Sequence, residues 1–345
     1  MDQARRGRAR QPFQELNDSQ TNEPALPISA EHLVAQMRET ADKFLRDGAS
    51  RGDLKLVTTA LKELRYCFKV FTPYREIRKV TVFGSARLPP SDAAYQTAVE
   101  YGRQMAEAGF MVITGAAAGI MEAGHAGAGR EKSIGINILL PFEQGANPII
   151  SGDRKLMHLK YFFTRKLLFV KESDAVALFP GGFGTQDEGF EVLTLIQTGK
   201  SQLIPIVLLD APGGDYWIRW QGFITEVLLA RKLISPEDLS LYRICHTVEE
   251  AVEEVMTFYR VYHSMRYVEN RLVIRLQNPI SEATLEYIRS HFTDIVVSGT
   301  FEQGPALPSE GIELPHLPRL YFHFNRRNMG RLRQLVDTVN RPPSA

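Results

Sequence analysis

The residues with the clearest capacity for chemistry surround the glycine-rich sequence Pro180-Gly181-Gly182-Phe183-Gly184-Thr185. This sequence follows a short apolar run at 175–179 and precedes a helical pattern, which predicts a strand, a loop and a helix. Glycines at such a strand end leave backbone N–H groups open to a ligand, and the helix adds the positive end of its dipole. The pattern therefore predicts a phosphate or carboxylate site, with a tight strand-to-helix turn as the alternative explanation of the glycines.

Two carboxylates follow on the same predicted helix. Thr185 and Glu188 have the spacing of a capping box, in which Glu188 would fold back on the start of the helix. In that position Glu188 would also lie beside the loop, so a structural and a chemical role are compatible. Glu191 lies three residues further along and therefore on the same helix face.

A pair of cations, Arg165-Lys166, precedes the strand on another predicted helix. Adjacent residues on a helix point in different directions, so at most one of the two is expected to face the centre of a site. A solvated helix face is the alternative explanation for the pair.

Short apolar runs alternate with helical patterns through the central part of the chain. This alternation predicts an α/β fold with a Rossmann-like, doubly wound parallel sheet that is covered by helices on both faces. Ligands bind beyond the carboxyl ends of such strands, and three of the predicted strand ends carry glycines, at Gly84-Ser85, Gly115 to Gly119 and Gly181 to Gly184. We expect these glycines to meet at one edge of the sheet. The strands are predicted near 79–84, 110–114, 133–139, 175–179 and 203–209.

The sequence before the first predicted strand indicates a flexible arm and two helices, which sets the start of the main domain. Residues 1–28, which include Arg5, Arg6, Arg8 and Arg10, have the composition of a flexible arm. Residues 29–75 show the periodicity of two helices broken at Arg51-Gly52. The main domain is expected at 76–264, with a helix over 159–170 and a capping box at Ser235-Pro236-Glu237-Asp238.

The last part of the chain, 265–345, predicts a small α+β unit of ferredoxin-like or ACT-like type. Its pattern has the order β-α-β-β-α, and Ser281 is expected to be the N-cap of its first helix. The strands are predicted over 271–276, 294–299 and 319–324, and the helices over 281–292 and 329–339.

Composition narrows the possible functions. The chain has 345 residues with a formal net charge of +1, which gives no reason to expect nucleic acid or a membrane surface as a partner. Cys67 and Cys245 have no metal or redox spacing, the eight histidines are scattered, and no zinc or other metal site is expected. An apolar run long enough for a membrane span or a signal peptide is not found. We therefore expect a cytoplasmic protein.

Taken together, the cation pair, the glycine-rich loop and Glu188 indicate a family more specifically than any one of them does. Arg165-Lys166 followed by Pro180-Gly181-Gly182-Phe183-Gly184-Thr185-Gln186-Asp187-Glu188 resembles the Lonely Guy (LOG) family of nucleoside 5′-monophosphate phosphoribohydrolases, long mislabelled as lysine decarboxylases. The stretches Val82-Phe83-Gly84-Ser85-Ala86-Arg87 and Gly119-Ile120-Met121-Glu122-Ala123 resemble the first two loops of the family, and Thr194 to Lys200 the longer bacterial members. The resemblance covers about 79–260.

The resemblance implies hydrolysis of the N-glycosidic bond of an AMP-like or cytokinin nucleoside 5′-monophosphate. Glu188 would be the catalytic carboxylate and Arg165 the catalytic cation, without a metal or redox cofactor. The family also implies a homodimer or larger homo-oligomer. The remaining substrate-binding residues implied are Gly84, Ser85, Gly115, Gly119, Met121, Glu122, Lys166, Gly181, Gly182, Gly184, Thr185 and Glu191.

One loop departs from the pattern of the longer members. They usually carry a Gly-Gly-Gly-Pro type of loop after the second strand, whereas this chain reads Gly115-Ala116-Ala117-Ala118-Gly119. Alanine adopts positive φ only at a cost, and its methyl group limits how closely a ligand approaches the backbone. The alternative function is therefore a non-catalytic carrier of a nucleotide or pterin cofactor on the same fold.

Overall fold

The structure is a computed structural model that describes residues 29–139, 145–310 and 313–342. The chain divides into two compact units with the boundary after Leu54. The two predicted N-terminal helices are present as α1 (Ala30–Arg46) and α2 (Arg51–Phe71), and the break lies just before Arg51. Ser29 caps α1 through its hydroxyl, which accepts the His32 N–H. The arm expected at 1–28 lies outside the described residues.

The second unit contains a parallel sheet in which the described residues form seven strands. Their order is β4-β3-β2-β1-β5-β6-β7, so chain progression reverses at β1, which pairs with both β2 and β5. Such a reversal is where ligands bind in doubly wound sheets. The predicted α/β class is confirmed. The strands are β1 (Lys79–Phe83), β2 (Met111–Thr114), β3 (Ser133–Ile138), β4 (Leu156–Leu159), β5 (Ala175–Leu178), β6 (Ile206–Leu209) and β7 (Arg243–Cys245).

Helices cover both faces of this sheet, and each residue of β1, β2, β3, β5 and β6 is buried. Continuous apolar runs were the correct signal for these strands because neither face meets water. A segment in π-helical geometry, Ile224–Leu229, directly follows α7. The helices are α3 (Ala93–Glu107), α4 (Ile120–Lys132), α5 (Phe162–Glu172), α6 (Phe183–Gln197), α7 (Tyr216–Phe223) and α8 (Val248–Phe258).

The two edge strands of the sheet, β4 and β7, were not predicted as strands. The helix expected over 159–170 begins only at Phe162, because Leu156–Leu159 pairs with β3 as an edge strand. Four residues are too few to separate the two periodicities when no glycine or proline divides them from the next helix. At the other edge β7 pairs with β6 and was not predicted. The capping box at Ser235 and Asp238 is confirmed, on a 3-10 helix over Pro236–Leu241.

The C-terminal part forms a four-stranded antiparallel sheet in the order β10-β11-β9-β8. The strand expected over 294–299 is wrong: Thr293–Ile295 is a 3-10 turn, and Val296 makes an isolated bridge to Phe324. Ile295 is buried while Val297 is 69% exposed, so this apolar run ends in solvent. The elements are β8 (Tyr262–Val268), β9 (Arg271–Leu276), α9 (Glu282–His291), β10 (Glu302–Gly304), β11 (Arg319–Phe322) and α10 (Met329–Asn340). Ser281 caps α9 as predicted.

The strand β8 was missed by the sequence analysis, and the expected boundary between residues 264 and 265 falls inside it. Polar bonds continue across this point. The Asn340 side chain accepts the N–H groups of Val261 and Tyr262 at 2.9 and 3.0 Å, and Arg333 on α10 pairs with buried Glu254 on α8. The helix α10 is therefore bonded both to the start of the C-terminal sheet and to α8, the last helix of the main sheet.

Candidate active site

A cleft of about 890 Å³ lies beyond the carboxyl ends of β1, β2, β3 and β5. Gly84, Gly115 and Gly181 all line it, which confirms that the three glycine-bearing strand ends meet at one edge. Of the fourteen site residues named from the sequence, ten line the cleft: Arg165, Glu188, Gly84, Ser85, Gly115, Met121, Gly181, Gly182, Gly184 and Thr185. The other four, Gly119, Glu122, Lys166 and Glu191, lie outside its lining.

The first loop is held between its neighbours by backbone bonds. The Ser85 N–H donates to Pro180 O at 3.0 Å, and Ser85 O accepts the Ile120 N–H at 2.9 Å. Gly119 has φ of 66°, and a Cβ there would lie 2.3 Å from Ser85 O. Gly119 therefore packs the start of α4 against the first loop instead of facing a ligand. Glu122, one turn later, accepts a long bond of 3.5 Å from the Tyr95 hydroxyl.

The second loop adopts the strained conformation that its alanines were expected to resist. Ala116 has φ of 62°, in the left-handed region, although it is fully buried. Three bonds hold it there: the Ala116 N–H donates to Thr114 Oγ1, and Asn147 donates to Ala116 O and Ala117 O. Alanine costs about 1 kcal/mol or more in this region, so these bonds compensate for a glycine that the sequence lacks.

His125 completes the network behind this loop. Its ring is fully buried, with Nδ1 accepting from the Asn147 amide at 3.3 Å. Its Nε2 lies 3.1 Å from both Thr114 Oγ1 and Ile134 O, which fits a proton on Nε2. Burial lowers the pKa of His125 to about 4, with the Ile134 and Asn147 bonds opposing that change. The neutral imidazole therefore ties together the residues that position Ala116.

We expect His125 to make the protein sensitive to acid. Because its pKa is lowered by folding, its contribution to the free energy of unfolding is complete above about pH 6.5 and is lost as the pH falls towards 4. The loss is on the order of 3 kcal/mol. Urea unfolding of His125→Gln at pH 7 and pH 4.5 is expected to show a smaller difference than the wild type. The exposed His291→Gln variant serves as the control and should retain the wild-type difference.

The third loop leads into α6 without a side-chain cap. The helix begins at Phe183 with Gly182 as N-cap, so the expected capping box is wrong. Thr185 is already the third helical residue, and Glu188 lies in the second turn. Within the described ranges, the Gly184 and Thr185 N–H groups donate to no carbonyl or side chain. These open donors at a helix N-terminus are suited to a phosphate group.

The glycines of this loop differ in what they tolerate. A Cβ on Gly181 would lie 2.1 Å from Thr185 Oγ1 and 3.0 Å from Ser85 N, whereas one on Gly182 or Gly184 would meet nothing within 4 Å. Gly181→Ala is therefore expected to lower the free energy of unfolding by about 1–3 kcal/mol. Gly182→Ala is the matched control and should melt at the wild-type temperature. Equal melting temperatures for the two variants would contradict this explanation of the loop.

Lys166 on α5 is surrounded by carboxylates from α6. Its Nζ lies 2.9 Å from Asp187, 3.4 Å from Glu188 and 2.5 Å from Glu191. Burial opposes the charge of Lys166, but its hydrogen bonds to Glu191 and Asp187 outweigh this and raise its pKa. Lys166 and Glu191 therefore form the support behind Glu188 and do not face the cleft.

Glu188 is the buried carboxylate of the site. Its side chain is 10% exposed, and burial raises its pKa, while the charges of Lys166 and Arg165 partly offset that rise. A raised pKa on a carboxylate that lines a cleft is typical of groups that exchange protons. The structure thus gives Glu188 the environment of an acid–base group and no capping role.

Arg165 faces the cleft, whereas Lys166 does not, as expected for adjacent helix residues. The Arg165 Nε donates to Ile136 O at 3.0 Å, and its guanidinium carbon lies 5.1 Å from the Phe169 ring centroid. A Cβ on Gly115 would lie 2.2 Å from Nη2 of Arg165, so glycine at 115 leaves the space that the guanidinium fills. Arg165 is thereby fixed at the wall between β2 and β3.

Several lining residues were missed by the sequence analysis as site residues. Arg87 and Asp187 stood within the motifs already quoted, so the motif itself was the available signal. Asn137 and Phe162 carried a weaker signal, a strand end and a helix start at the expected edge. Among the described residues no group of three His, Cys, Asp or Glu side chains is placed to hold a metal ion. In the same residues, the helices are too short or too polar to cross a membrane.

Comparison with known proteins agrees with the motifs. The family described as "Possible lysine decarboxylase" matches residues 114–255. The "Probable cytokinin riboside 5'-monophosphate phosphoribohydrolase LOGL5" of Oryza sativa subsp. japonica is 34% identical over 158 residues, covering 44% of this chain and 61% of the relative. The chain thus spans less than two thirds of the length of this curated relative.

Similar solved structures each cover about half of the chain. The X-ray structure of TM1055 is 27% identical with a TM-score of 0.37, covering 51% of this chain and 97% of that one. The molybdenum cofactor binding protein of Rippkaea orientalis is 19% identical with a TM-score of 0.37, covering 52% and 95%. The family match and the curated relative agree on what this chain is similar to: residues 114–255 match the family described as "Possible lysine decarboxylase", and the relative carries a LOG name.

Proposed function

We propose that this protein hydrolyses the N-glycosidic bond of a purine nucleoside 5′-monophosphate, giving the free base and ribose 5-phosphate. One observation carries the proposal: a buried carboxylate with a raised pKa, Glu188, lines the same cleft as the open N–H groups of α6. The first suits an acid–base step at a sugar carbon and the second suits the 5′-phosphate.

The phosphate is assigned to the glycine-rich loop. The N–H groups of Gly184 and Thr185, together with the α6 dipole, favour an anion at this point. Gly181 and Gly182 leave the backbone uncovered, and the Thr185 side chain lies against Gly181. Arg87 lines the cleft near the first loop and adds a positive charge.

The proposed hydrolysis replaces the bond from C1′ to the base with a bond from C1′ to a water oxygen. A water oxygen forms a bond to C1′ of the ribose while the bond from C1′ to the base nitrogen breaks and leaves its electron pair on the base. The transition state resembles an oxocarbenium ion, which the Glu188 carboxylate stabilises before accepting the water proton. Arg165 contacts the departing base and stabilises its negative charge, and the proton that Glu188 accepted then passes to the base nitrogen, which gives the neutral free base and restores the carboxylate.

The type of base is proposed from the curated relative. The curated relative is named for a cytokinin riboside 5′-monophosphate, and AMP is the corresponding unmodified nucleotide. We propose a substrate of this AMP-like or cytokinin type.

Incubation of the purified protein with AMP tests the proposal. Free adenine and ribose 5-phosphate are expected in equal amounts by chromatography, and Glu188→Gln is the matched control. Tight binding of AMP without release of adenine would instead favour the alternative, a carrier of a nucleotide or pterin cofactor. The strained Ala116 in a loop that lines the cleft is the feature consistent with that alternative.

We also propose a homo-oligomer in the cytoplasm. Phe163 and Leu167 on α5 and Phe190 on α6 are 50%, 48% and 37% exposed, and the Lys166–Glu191 ion pair joins these two helices. Exposed apolar side chains of this kind are typical of subunit interfaces. Cys67 and Cys245 are buried and unpaired, consistent with a reducing compartment. Light scattering of the purified protein measures the assembly, and a monomer at micromolar concentration would contradict it.

A further inference from the structure

We propose that Asn137 selects the base of the nucleotide. Its side-chain oxygen accepts a hydrogen bond from an exocyclic amino group, so that bases with an N–H donor, such as adenine, are preferred over those without one. This inference rests on the proposed function, since it assigns the specificity of the same cleft.

The position of Asn137 makes it a polar group with unused capacity. Asn137 is the last but one residue of β3. Its side chain lines the cleft, and the residue is 7% exposed. Its Nδ2 lies 3.5 Å from Nδ1 of His158, the residue that pairs with Asn137 on the neighbouring strand β4. Within the described ranges, Oδ1 makes no hydrogen bond and is not fully enclosed by the protein, so it is open to a donor from the cleft. A ligand in the cleft would supply the missing donor.

Other amides near the cleft are already occupied. The Gln186 side chain donates to the Tyr216 hydroxyl at 2.7 Å and accepts from the Trp220 indole at 2.9 Å. The Asn147 side chain donates to Ala117 O and His125, and its Oδ1 accepts the Ile150 N–H at 3.4 Å. Asn137 is therefore the amide whose acceptor remains available to a substrate.

The location also matches that of the leaving base. Ile136, the residue before Asn137, accepts the bond that fixes Arg165, the proposed contact of the departing base. Met121 and Phe162 line the same cleft and offer apolar surface to the faces of an aromatic ring. A base between these side chains would present its edge to Asn137, and an amide paired with the edge of adenine is a common form of recognition.

Asn137 is expected to discriminate strongly between bases with an exocyclic N–H and bases without one. An analogue without the donor leaves Oδ1 buried and unpaired, which is worth about a 10- to 100-fold loss in kcat/KM. The probes are AMP, N6-methyl-AMP, N6,N6-dimethyl-AMP and purine riboside 5′-monophosphate. The first two have an N–H at this position and the last two do not.

The test compares the ratio of kcat/KM for AMP to that for purine riboside 5′-monophosphate in the wild type and its variants. Asn137→Leu is expected to reduce this ratio about 10-fold or more, whereas Asn137→Asp, which retains an acceptor, should keep a preference for AMP. Comparing variants cancels the different leaving tendencies of the two bases. Ile134→Val, on the same strand but outside the cleft lining, is the control and should keep the wild-type ratio. Asn137→Ala, which also removes the acceptor, replaces Asn137→Leu if the latter fails to fold.

The outcomes separate this inference from the proposed function. An unchanged ratio in Asn137→Leu, or a wild type that accepts N6,N6-dimethyl-AMP as readily as N6-methyl-AMP, overturns the role of Asn137 and leaves the hydrolysis standing. If no nucleotide releases its base, dissociation constants replace rates. A preference for AMP in binding that Asn137→Leu abolishes then supports Asn137 while the hydrolysis fails, and equal affinities overturn both.

Discussion

Replacing Glu188 with Gln is expected to lower kcat by about 10²- to 10⁴-fold, the range for a lost acid–base group. Gln keeps the size and polarity of the side chain but cannot accept the proton of the attacking water or carry a negative charge. The KM for AMP is expected to change little, because the phosphate is assigned to the loop at Gly181–Thr185. A rate near that of the wild type would show that another group performs the chemistry.

The same variant is expected to fold normally. Glu188 does not cap α6, and Lys166 keeps two other carboxylates, at 2.9 and 2.5 Å. Because the folded protein raises the pKa of Glu188 above 4.5, its stabilising contribution is complete below that pH and is lost as the pH rises through the raised value. Gln lacks this loss, so the melting temperature at pH 8 should equal or slightly exceed that of the wild type.

A raised pKa also sets the pH dependence of the reaction. If the ionised carboxylate is the active form, kcat/KM falls as Glu188 becomes protonated, and this acidic limb lies above pH 4.5. Asp187→Asn is the matched control, since Asp187 neighbours Glu188 and also pairs with Lys166 but is 64% exposed. We expect that variant to retain most of the activity. A limb in the same place in Glu188→Gln would assign the titration to a different residue.

The central sheet could be predicted from the sequence because its strands are buried on both faces. A continuous apolar run such as Ala175–Leu178 has no competing periodicity, and glycines follow it closely in the chain. The edge strands carry less information. Leu156–Leu159 alternates in burial and runs into a helix, and Tyr262–Val268 mixes aromatic, polar and charged residues. For such strands the pairing with a neighbour decides the conformation.

The lining of the cleft was predictable in part, at ten of the fourteen residues named from the sequence, but its geometry was not. Spacing placed Glu188 on the correct helix, yet it also fitted a capping box that the structure replaces with a glycine N-cap. Local spacing cannot show that Lys166 turns towards three carboxylates while Arg165 turns towards Ile136 O. Asn137 had no periodic signal at all, because one amide at a strand end becomes informative only when the groups around it are known.

Replacement of Arg165 with Met is expected to lower kcat/KM about 10²- to 10³-fold, the cost of removing one group that stabilises developing charge. The guanidinium is held by its Nε bond to Ile136 O and fills the space beside Gly115, so it is oriented before substrate arrives. Arg165→Lys should recover only part of the activity, because an ammonium cannot keep the anchor and reach the base together.

The neighbouring Lys166→Met variant provides the comparison that separates the two cations. Lys166 lowers the pKa of Glu188 but does not line the cleft, so its loss should move the acidic limb of kcat/KM to higher pH and leave the rate above that limb largely intact. Arg165→Met should instead depress the rate at every pH. Both profiles are measured from pH 5 to 9 with AMP. If Lys166→Met depresses the rate uniformly while Arg165→Met only shifts the limb, then Lys166 is the catalytic cation and Arg165 is the one that tunes the pKa of Glu188.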